Sequence, residues 1–209
     1  MTLYRPGRDV FLASALEIAP RLLGAVLRHE TEEGAVAIRI SEVEAYVGDG
    51  VDPGSHSFRG RTKRNAVMYG PPGHVYTYFT YGMHVCANIV CSPEGESSAV
   101  LLRAGEVVRG AQLARARRPA ARRDADLARG PARLAVCLGL DGSADGLDAC
   151  DRGPLRVLPG PPPPPSDVRV GPRVGVAGAG AAAPWRWWAD GEPSVSAYRP
   201  GRPRRVRAG

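Results

Sequence analysis

Apolar and polar residues alternate with a period of two over residues 35–46, AVAIRISEVEAY. Such alternation predicts a β-strand with one face toward a core. The preceding stretch 24–30, GAVLRHE, has a related pattern, and the turn TEEG at 31–34 separates the two. The first half of the chain is therefore predicted to contain an antiparallel hairpin.

A second hairpin is predicted from residues 75–81, VYTYFTY, and 84–90, HVCANIV, which meet near Gly82. Glycine at this position favours a tight connection between antiparallel strands. Residues 97–107, SSAVLLRAGEV, predict a further strand. The final strand pair is predicted within 184–200.

Three segments have helical patterns. Residues 10–18 are predicted to form a short helix with Asp9 as its N-cap, which Pro20 either ends or restarts. Residues 106–118 and 130–140 are predicted to be the other two helices.

Segments rich in glycine, proline or charge separate these elements. Residues 47–64 predict a long loop, and a loop of that length without regular structure is usually functional or disordered. The proline run at 159–167 predicts an extended polyproline II-like surface segment. Residues 203–209 predict a basic, flexible tail after a domain of residues 1–202.

These elements predict one domain of the α/β class, in its α+β form, with a curved, mostly antiparallel sheet and flanking helices. A chain of 209 residues can bury one sizeable core. It has no run of about 18 apolar residues, and its N-terminus lacks an uninterrupted apolar region. We therefore expect an intracellular, cytoplasmic protein with no membrane contact.

The four cysteines lack the paired short spacings of a zinc site or of a disulfide framework. They are predicted to be small buried side chains. A zinc site that uses them together with His84 is the weaker alternative, and we expect neither a metal nor a cofactor.

The formal charge of +7 comes almost entirely from arginine, because Lys63 is the single lysine. Arginine suits bidentate phosphate contact and stacking on rings. Charge alone is weak evidence for a nucleic-acid partner, since many proteins are basic.

The residues suited to catalysis or ligand binding are concentrated in the two predicted hairpins and the loop between them. Period-two alternation places Glu44 and Tyr46 on one face of a strand, and His56 in the following loop can fold back over them. Tyr76 and Tyr78 share one face of the next hairpin, while Tyr81 lies at its turn. A surface carboxylate and a stripe of core aromatics are the alternative interpretation.

At this level of detail the chain resembles the alkyladenine, or 3-methylpurine, DNA glycosylases. The resemblance rests on EVEAY at 42–46, GPPGHVYTYFTYGMHVCANIV at 70–90 and AVLLRAGEV at 99–107. It continues through 128–140 and 184–196 and so covers most of the chain.

The resemblance implies an enzyme of base excision repair that flips alkylated purines, 3-methyladenine and 7-methylguanine, out of duplex DNA, and it leaves open whether deaminated or etheno purines are substrates too. Because Lys63 and the N-terminus are the only amines available as nucleophiles, the enzyme is expected to be monofunctional and to hydrolyse the N-glycosidic bond with a Glu-activated water. By matching positions, Glu44 is the general base and Arg103 lies near the attacking water. The flipped base contacts Tyr46, His56 and Tyr78, and Asn88 crowds the amino group of normal guanine.

The family also implies a protruding β-hairpin that enters the minor groove, where Tyr81 fills the gap left by the flipped base. Met83 at the same turn, together with Arg61, Lys63 and Arg64, is expected to contact DNA. The expected partner is double-stranded DNA with damaged purines, bound by a monomer that associates with a prokaryotic nucleoid.

Two other functions remain open from the residues. One is a non-catalytic nucleic-acid-binding domain that uses the tyrosines as a stacking platform. The other is a glycosidase for free nucleosides, which would require two facing carboxylates or an acid near the leaving base.

Overall fold

The computed structural model describes residues 7–80, 82, 84–150 and 153–202. Eight strands lie in these segments, and all their pairings are antiparallel. The strands are β1 (Val26–Thr31), β2 (Gly34–Val47), β3 (Val75–Thr80), β4 (His84–Cys91), β5 (Ser98–Arg109), β6 (Leu155–Leu158), β7 (Val168–Gly171) and β8 (Arg186–Ala189). Three α-helices flank them: α1 (Ala15–Arg21), α2 (Ala111–Arg117) and α3 (Pro131–Leu138).

The strand order is β3-β4-β5-β2-β1-β6, with β8 between β2 and β7. The long strand β2 is central, because β5 pairs along one edge while β1 and then β8 share the other. The main core lies where α1 packs against β2 and α3 packs against β4 and β5. This arrangement confirms the predicted α+β domain with an antiparallel sheet.

Two bulges in the β2–β5 pairing decide which side chains face the core. The register passes from Ile40↔Gly105 to Glu42↔Ala104, so Ser41 is an extra residue on β2. It then passes to Val43↔Leu102, so Arg103 is an extra residue on β5. A bulge re-aims the side chains beyond it.

The consequence on β2 is a change of face. Ile38 and Ile40 point into the main core before Ser41, whereas Val43 and Ala45 do so after it. Glu42 and Glu44 therefore lie on the face away from that core. Unbroken alternation would have pointed both carboxylates into it.

The predicted N-cap and end of the first helix are wrong. Asp9 lies in a 3₁₀ turn (Arg8–Leu12), and α1 is instead capped by Ser14, whose Oγ accepts the N–H of Leu16 at 3.1 Å. Pro20 lies inside α1 rather than ending it. A proline so near the C-terminal end removes only one intrahelical donor.

The helix predicted at 106–118 is too long, because β5 continues to Arg109. Gly110, at φ +75°, makes the turn into α2, and a β-carbon there would lie 2.2 Å from the carbonyl oxygen of Ala35. Backbone conformation and close approach both require glycine at this point. The helix predicted at 130–140 is confirmed as α3.

The predicted strand pair within 184–200 is wrong. Only β8 forms there, and its partners are β2 and β7. The next residues contact side chains instead, since the backbone N–H of Ser196 donates to Glu42 at 2.7 Å. The short strand β6 was not predicted.

The long loop predicted at 47–64 contains no helix or strand after Val47 and before the 3₁₀ turn at Ala66. Most of the proline run is exposed and lacks regular structure up to the 3₁₀ turn Pro165–Asp167. The two predicted hairpins are present as β1–β2 and β3–β4. Tyr81 and Met83 at the second turn, and the tail 203–209, lie outside the described residues.

Inserting one alanine after Ser41 is expected to abolish cooperative unfolding, because the additional residue shifts the alternation by one position and would turn Glu42 and Glu44 into the core and Val43 and Ala45 out of it. The matched control is Ser41→Ala. It keeps the register and loses the 2.8 Å bond to Ser194, at a cost of about 1 kcal/mol. Thermal unfolding by circular dichroism checks both variants, and equal melting temperatures would show that the number of residues at the bulge does not determine which side chains of β2 face the core.

Candidate active site

Glu44 is a fully buried carboxylate near the end of β2. Its Oε1 accepts the backbone N–H of Val174 at 2.6 Å. Its Oε2 accepts the Tyr46 hydroxyl at 2.8 Å and Nη1 of Arg103 at 3.1 Å. A carboxylate has about four acceptor positions, so these donors leave one, on Oε1.

Glu42, two residues earlier, is also fully buried and more heavily bonded. Its Oε1 accepts Nε of Arg103 at 2.8 Å, Nε of Arg186 at 2.7 Å and the Ser196 hydroxyl at 2.9 Å. Its Oε2 accepts the Ser196 backbone N–H. Arg103 therefore bridges the two carboxylates.

The two carboxyl groups differ in acidity because they share the same burial but not the same partners. Burial raises the pKa of Glu44, and the charge of Arg103 with two hydrogen bonds only partly offsets it. Burial also opposes ionisation of Glu42, but the charges of Arg103 and Arg186 outweigh it and hold that pKa low. Glu44 is thus the more basic of the pair.

An aromatic pocket lies on the same side of the sheet. The His56 ring lies 4.6 Å from that of Tyr78 between centroids, nearly perpendicular at 85°. Its Nδ1 is 3.0 Å from the hydroxyl of Tyr76. Loss of hydration and the charge of Arg64 lower the pKa of His56, while burial raises the pKa of Tyr76 to about 12. A neutral His56 that accepts from the Tyr76 hydroxyl carries its proton on Nε2.

The neighbouring strand β4 contributes Asn88 and Cys86, which pair in register with Tyr76 and Tyr78. Nδ2 of Asn88 donates to the carbonyl oxygen of Tyr76 at 3.0 Å. This bond fixes the orientation of a buried amide at the base of the pocket.

Tyr46 is supported from behind by a buried ion pair. The Arg173 guanidinium carbon lies 4.4 Å from the Tyr46 ring centroid and 4.9 Å from that of Trp185. Arg173 and Asp52 form two bonds, of 2.5 and 2.7 Å, and both side chains are fully buried. This pair connects the loop after β2 to the segment that carries Val174.

The same loop presents His56 because buried polar residues fix its path. Nδ2 of Asn65 donates to the carbonyl oxygens of His56 and Gly60, at 3.0 and 3.1 Å. Its Oδ1 accepts the backbone N–H of Thr62 at 2.6 Å. A long loop without regular structure is thereby ordered.

These groups open onto one cleft of about 900 Å³. Its lining is rich in cationic residues, and none of its lining residues among those described is acidic. The arginines are Arg103, Arg129, Arg133 and Arg199. A cleft lined by one sign of charge attracts a polyanion.

The structure brings most of the sequence-predicted residues together. Five line the cleft, and Glu44 lies directly behind two of them through its bonds to Tyr46 and Arg103. The five are Tyr46, His56, Tyr78, Asn88 and Arg103.

The predicted DNA-binding residues Arg61, Lys63 and Arg64 are exposed on the loop before the 3₁₀ turn and do not line the cleft. The Arg61 guanidinium carbon lies 5.8 Å from the Tyr69 ring centroid. Tyr81 and Met83 fall outside the described residues, so their predicted roles stay predictions.

The sequence interpretation missed the residues that hold the site from behind. Glu42 had a signal, because it alternates with Glu44 and Tyr46 in EVEAY. Arg173, Arg186 and Ser196 had none, since each bonds to a residue more than a hundred positions earlier.

Of the cysteines, Cys86, Cys91 and Cys137 are buried and Cys150 is half-buried. Across the described ranges, no group of three histidine, cysteine or acidic residues has the geometry to hold a metal ion. Within the same ranges, no helix is both long and apolar enough to cross a membrane.

The fold and the site define an α+β protein in which a cationic, aromatic-lined cleft lies over a buried carboxylate. Residues 9–193 match the family model described as methylpurine-DNA glycosylase. The chain therefore belongs to the methylpurine-DNA glycosylase family.

Relatives agree over nearly the full chain. A protein from Leifsonia xyli subsp. xyli is 62% identical over 205 residues, covering 95% of each chain. One from Streptomyces avermitilis is 58% identical over 202 residues, covering 96% of this chain and 94% of its own. One from Burkholderia cenocepacia is 46% identical over 194 residues, covering 92% and 91%. Each is provisionally named a 3-methyladenine DNA glycosylase.

The free energy of unfolding of Glu44→Gln, minus that of the native protein, is expected to increase as the pH rises above about 4.5, the ordinary carboxyl pKa. The raised pKa means that the folded protein holds the Glu44 proton more tightly than the unfolded chain does. The contribution of protonated Glu44 to the free energy of unfolding is therefore completely present below pH 4.5. It is lost as the pH rises through the pKa that Glu44 has in the folded protein. Chemical unfolding at a series of pH values measures the difference.

Glu42→Gln is the matched comparison, with the opposite sign. The pKa of Glu42 is lowered, so its stabilising contribution is present above 4.5 and is lost as the pH falls. If the stability differences of the two variants changed with pH in the same direction, the opposite pKa shifts assigned to Glu42 and Glu44 would be contradicted.

Proposed function

We propose that this chain is a monofunctional DNA glycosylase that excises alkylated purines, 3-methyladenine and 7-methylguanine among them, from double-stranded DNA. The observation that carries the proposal is the buried Glu44, which keeps one acceptor position behind a cationic cleft lined by tyrosine and histidine. The family membership and the names of the relatives support the same activity.

The pocket fits a flipped, damaged base. Flipping costs a few kcal/mol and less at a damaged pair. Stacking returns about 1–3 kcal/mol per base. Tyr46, Tyr78 and His56 provide rings at the cleft wall, and a purine made cationic by alkylation gains up to about 2 kcal/mol more from a desolvated tyrosine face.

Glu44 acts as the general base in this proposal. Its remaining Oε1 position accepts a hydrogen bond from water and then the proton, while the water oxygen attacks the sugar C1′. The N-glycosidic bond breaks with its electron pair on the leaving base, so the products are a free base and an abasic site. Positioned proton transfer of this kind contributes about 10²–10⁴-fold.

Arg103 stabilises Glu44 in the charged form that accepts a proton, through the 3.1 Å contact between Nη1 and Oε2. Asn88 excludes normal guanine by crowding its exocyclic amino group. The bond from its Nδ2 to the Tyr76 carbonyl oxygen keeps that side chain in place.

Water is the proposed nucleophile because no amine lines the cleft within the part of the chain that the structure describes. None of its lining residues among those described is a lysine, and Lys63 is exposed outside it. A strand-cleaving glycosylase would use an amine that forms a Schiff base.

Contact with DNA is assigned to the exposed Arg61, Lys63 and Arg64 and to Tyr81 and Met83 at the β3–β4 turn. Tyr81 enters the minor groove and fills the space vacated by the flipped base. The protein would act on chromosomal DNA as a monomer.

Two alternatives fit the contacts less well. A passive binding domain has no use for a fully buried carboxylate, whose burial is costly. A glycosidase with two working carboxylates would need a second carboxylate with a free acceptor position, whereas Glu42 already accepts four hydrogen bonds.

Glu44→Gln is expected to reduce single-turnover excision of 3-methyladenine from a duplex at least about 100-fold while the variant still binds that duplex. The amide keeps the shape of the side chain but is a poor proton acceptor. Released base is measured by chromatography, and strand integrity by gel before and after hot alkali.

The matched control is Glu106→Gln, which alters a surface carboxylate that pairs with Arg39 on the same two strands. It is expected to excise at the native rate. Full activity of Glu44→Gln would remove the assigned base, and strand breaks before alkali would contradict the monofunctional mechanism.

Tyr81→Ser is expected to weaken binding to the damaged duplex at least about tenfold, because the stacking side chain that fills the vacated space is lost. Tyr198→Ser, at an exposed tyrosine distant in sequence, is the comparison. Fluorescence of 2-aminopurine next to the lesion reports flipping, and an unchanged signal in Tyr81→Ser would reject the wedge.

A further inference from the structure

We propose that Glu42 is a positioning residue for excision: it orients Arg103 toward Glu44 and offsets the positive charge around that carboxylate. The inference rests on the proposed function, since it concerns the assigned general base. Glu42 is fully buried and accepts four hydrogen bonds, which leaves no acceptor position for water or substrate, so it acts through Arg103.

The geometry of Arg103 carries the inference. A guanidinium is planar, and its donors point in fixed directions. Nε of Arg103 donates to Glu42 at 2.8 Å and Nη2 donates to the Ser196 hydroxyl at 3.3 Å. With both of these sides held, Nη1 is directed at Oε2 of Glu44, 3.1 Å away.

Glu42 is itself fixed from the opposite side. Arg186 of β8 donates to Glu42 through Nε. The Arg186 guanidinium carbon lies 4.4 Å from the ring centroid of Trp188, and its Nη2 donates to the Ser196 carbonyl oxygen. Ser196 adds its backbone N–H and hydroxyl. Each of these four hydrogen bonds to Glu42 therefore comes from a donor that is itself held in place.

Charge balance gives Glu42 a second effect. Two guanidinium groups, Arg103 and Arg186, lie against two carboxylates, Glu42 and Glu44. If Glu42 loses its charge, both cations remain and Glu44 becomes the only carboxylate of the group. Its charged form is then favoured more strongly, and it accepts a proton less readily.

Other groups around Glu44 set the background for this effect. Tyr46 bonds to it from β2, and Arg173 lies behind Tyr46. Tyr78 of β3 interacts electrostatically with Glu44 and hydrogen-bonds Cys86 of β4. Burial raises the pKa of Tyr46, Tyr78 and Cys86, so these three are neutral near pH 7 and the arginines provide the positive charge.

The test is the pH dependence of single-turnover excision by Glu42→Gln on a duplex with one 3-methyladenine. The maximal rate constant is expected to fall about 10- to 100-fold with little change in duplex affinity, because a hydrogen bond to a charged group is lost at a distance from the DNA. The acid limb of the rate profile is expected to move to lower pH, because Glu44 then ionises at lower pH.

Glu42→Asp is the conservative comparison. It keeps the charge but is one methylene shorter, so the acid limb should stay near its native position while the rate falls through poorer alignment of Arg103. Glu106→Gln is the control for altering a carboxylate in an arginine pair on the same strands.

Since Glu42 also stabilises the fold, each rate is measured below the unfolding transition of its variant. The double variant Glu42→Gln/Arg186→Met removes one charge of each sign, and it should return the acid limb toward the native pH. This comparison separates charge balance from simple loss of structure.

The outcomes separate the two proposals. A native protein without excision activity overturns the proposed function. An active native protein together with a Glu42→Gln variant of unchanged rate and unchanged acid limb overturns the role of Glu42 alone. A reduced rate at an unmoved acid limb in folded Glu42→Gln also overturns it, because that result indicates a structural role only.

Discussion

The ion-pair bridge made by Arg103 between Glu42 and Glu44 is the interaction on which the rest of the site depends. Two carboxylates inside a sheet would each bear a large desolvation penalty without a cation between them. Arg103 reaches both only because β5 has an extra residue at that position and β2 has one at Ser41. The two irregularities in the pairing therefore place charge on the side of the sheet that faces the cleft.

The two carboxylates of this buried ion-pair group, Glu42 and Glu44, differ in acidity. Glu42 meets two guanidinium groups, whereas Glu44 meets one and otherwise only a hydroxyl and a backbone N–H. The same residue type two positions apart therefore has a lowered pKa at Glu42 and a raised pKa at Glu44. Charge distribution among neighbours, more than depth in the protein, distinguishes them.

Local patterns in the sequence were sufficient for the strands that carry the pocket. Alternation in 35–46 and 75–90 located Glu44, Tyr46 and Tyr78, the loop after the first of these strands suggested His56, and the family resemblance added Asn88 and Arg103. The bulge at Ser41 was not predicted, because no proline or glycine marks it. Arg173, Arg186 and Ser196 were missed for a different reason: their partners are determined by tertiary pairing with β2, which leaves no mark within a short window. The predicted start of the N-terminal helix was wrong because both Asp9 and Ser14 are good capping residues, and only tertiary packing decides which of them caps the helix.

The position of Arg186 and Ser196 in the chain has a consequence for the order of folding. Their bonds to Glu42 span 144 and 154 residues, so the strand at the centre of the sheet receives its last partners late in synthesis. Contacts of such separation slow folding, since a long loop must close before they form. A nascent chain that ends at α3 already contains both carboxylates and Arg103, but it lacks the second cation, Arg186. Arg186 provides the second cation and Ser196 two further donors, so the last quarter of the chain completes the charge balance around Glu42 and Glu44.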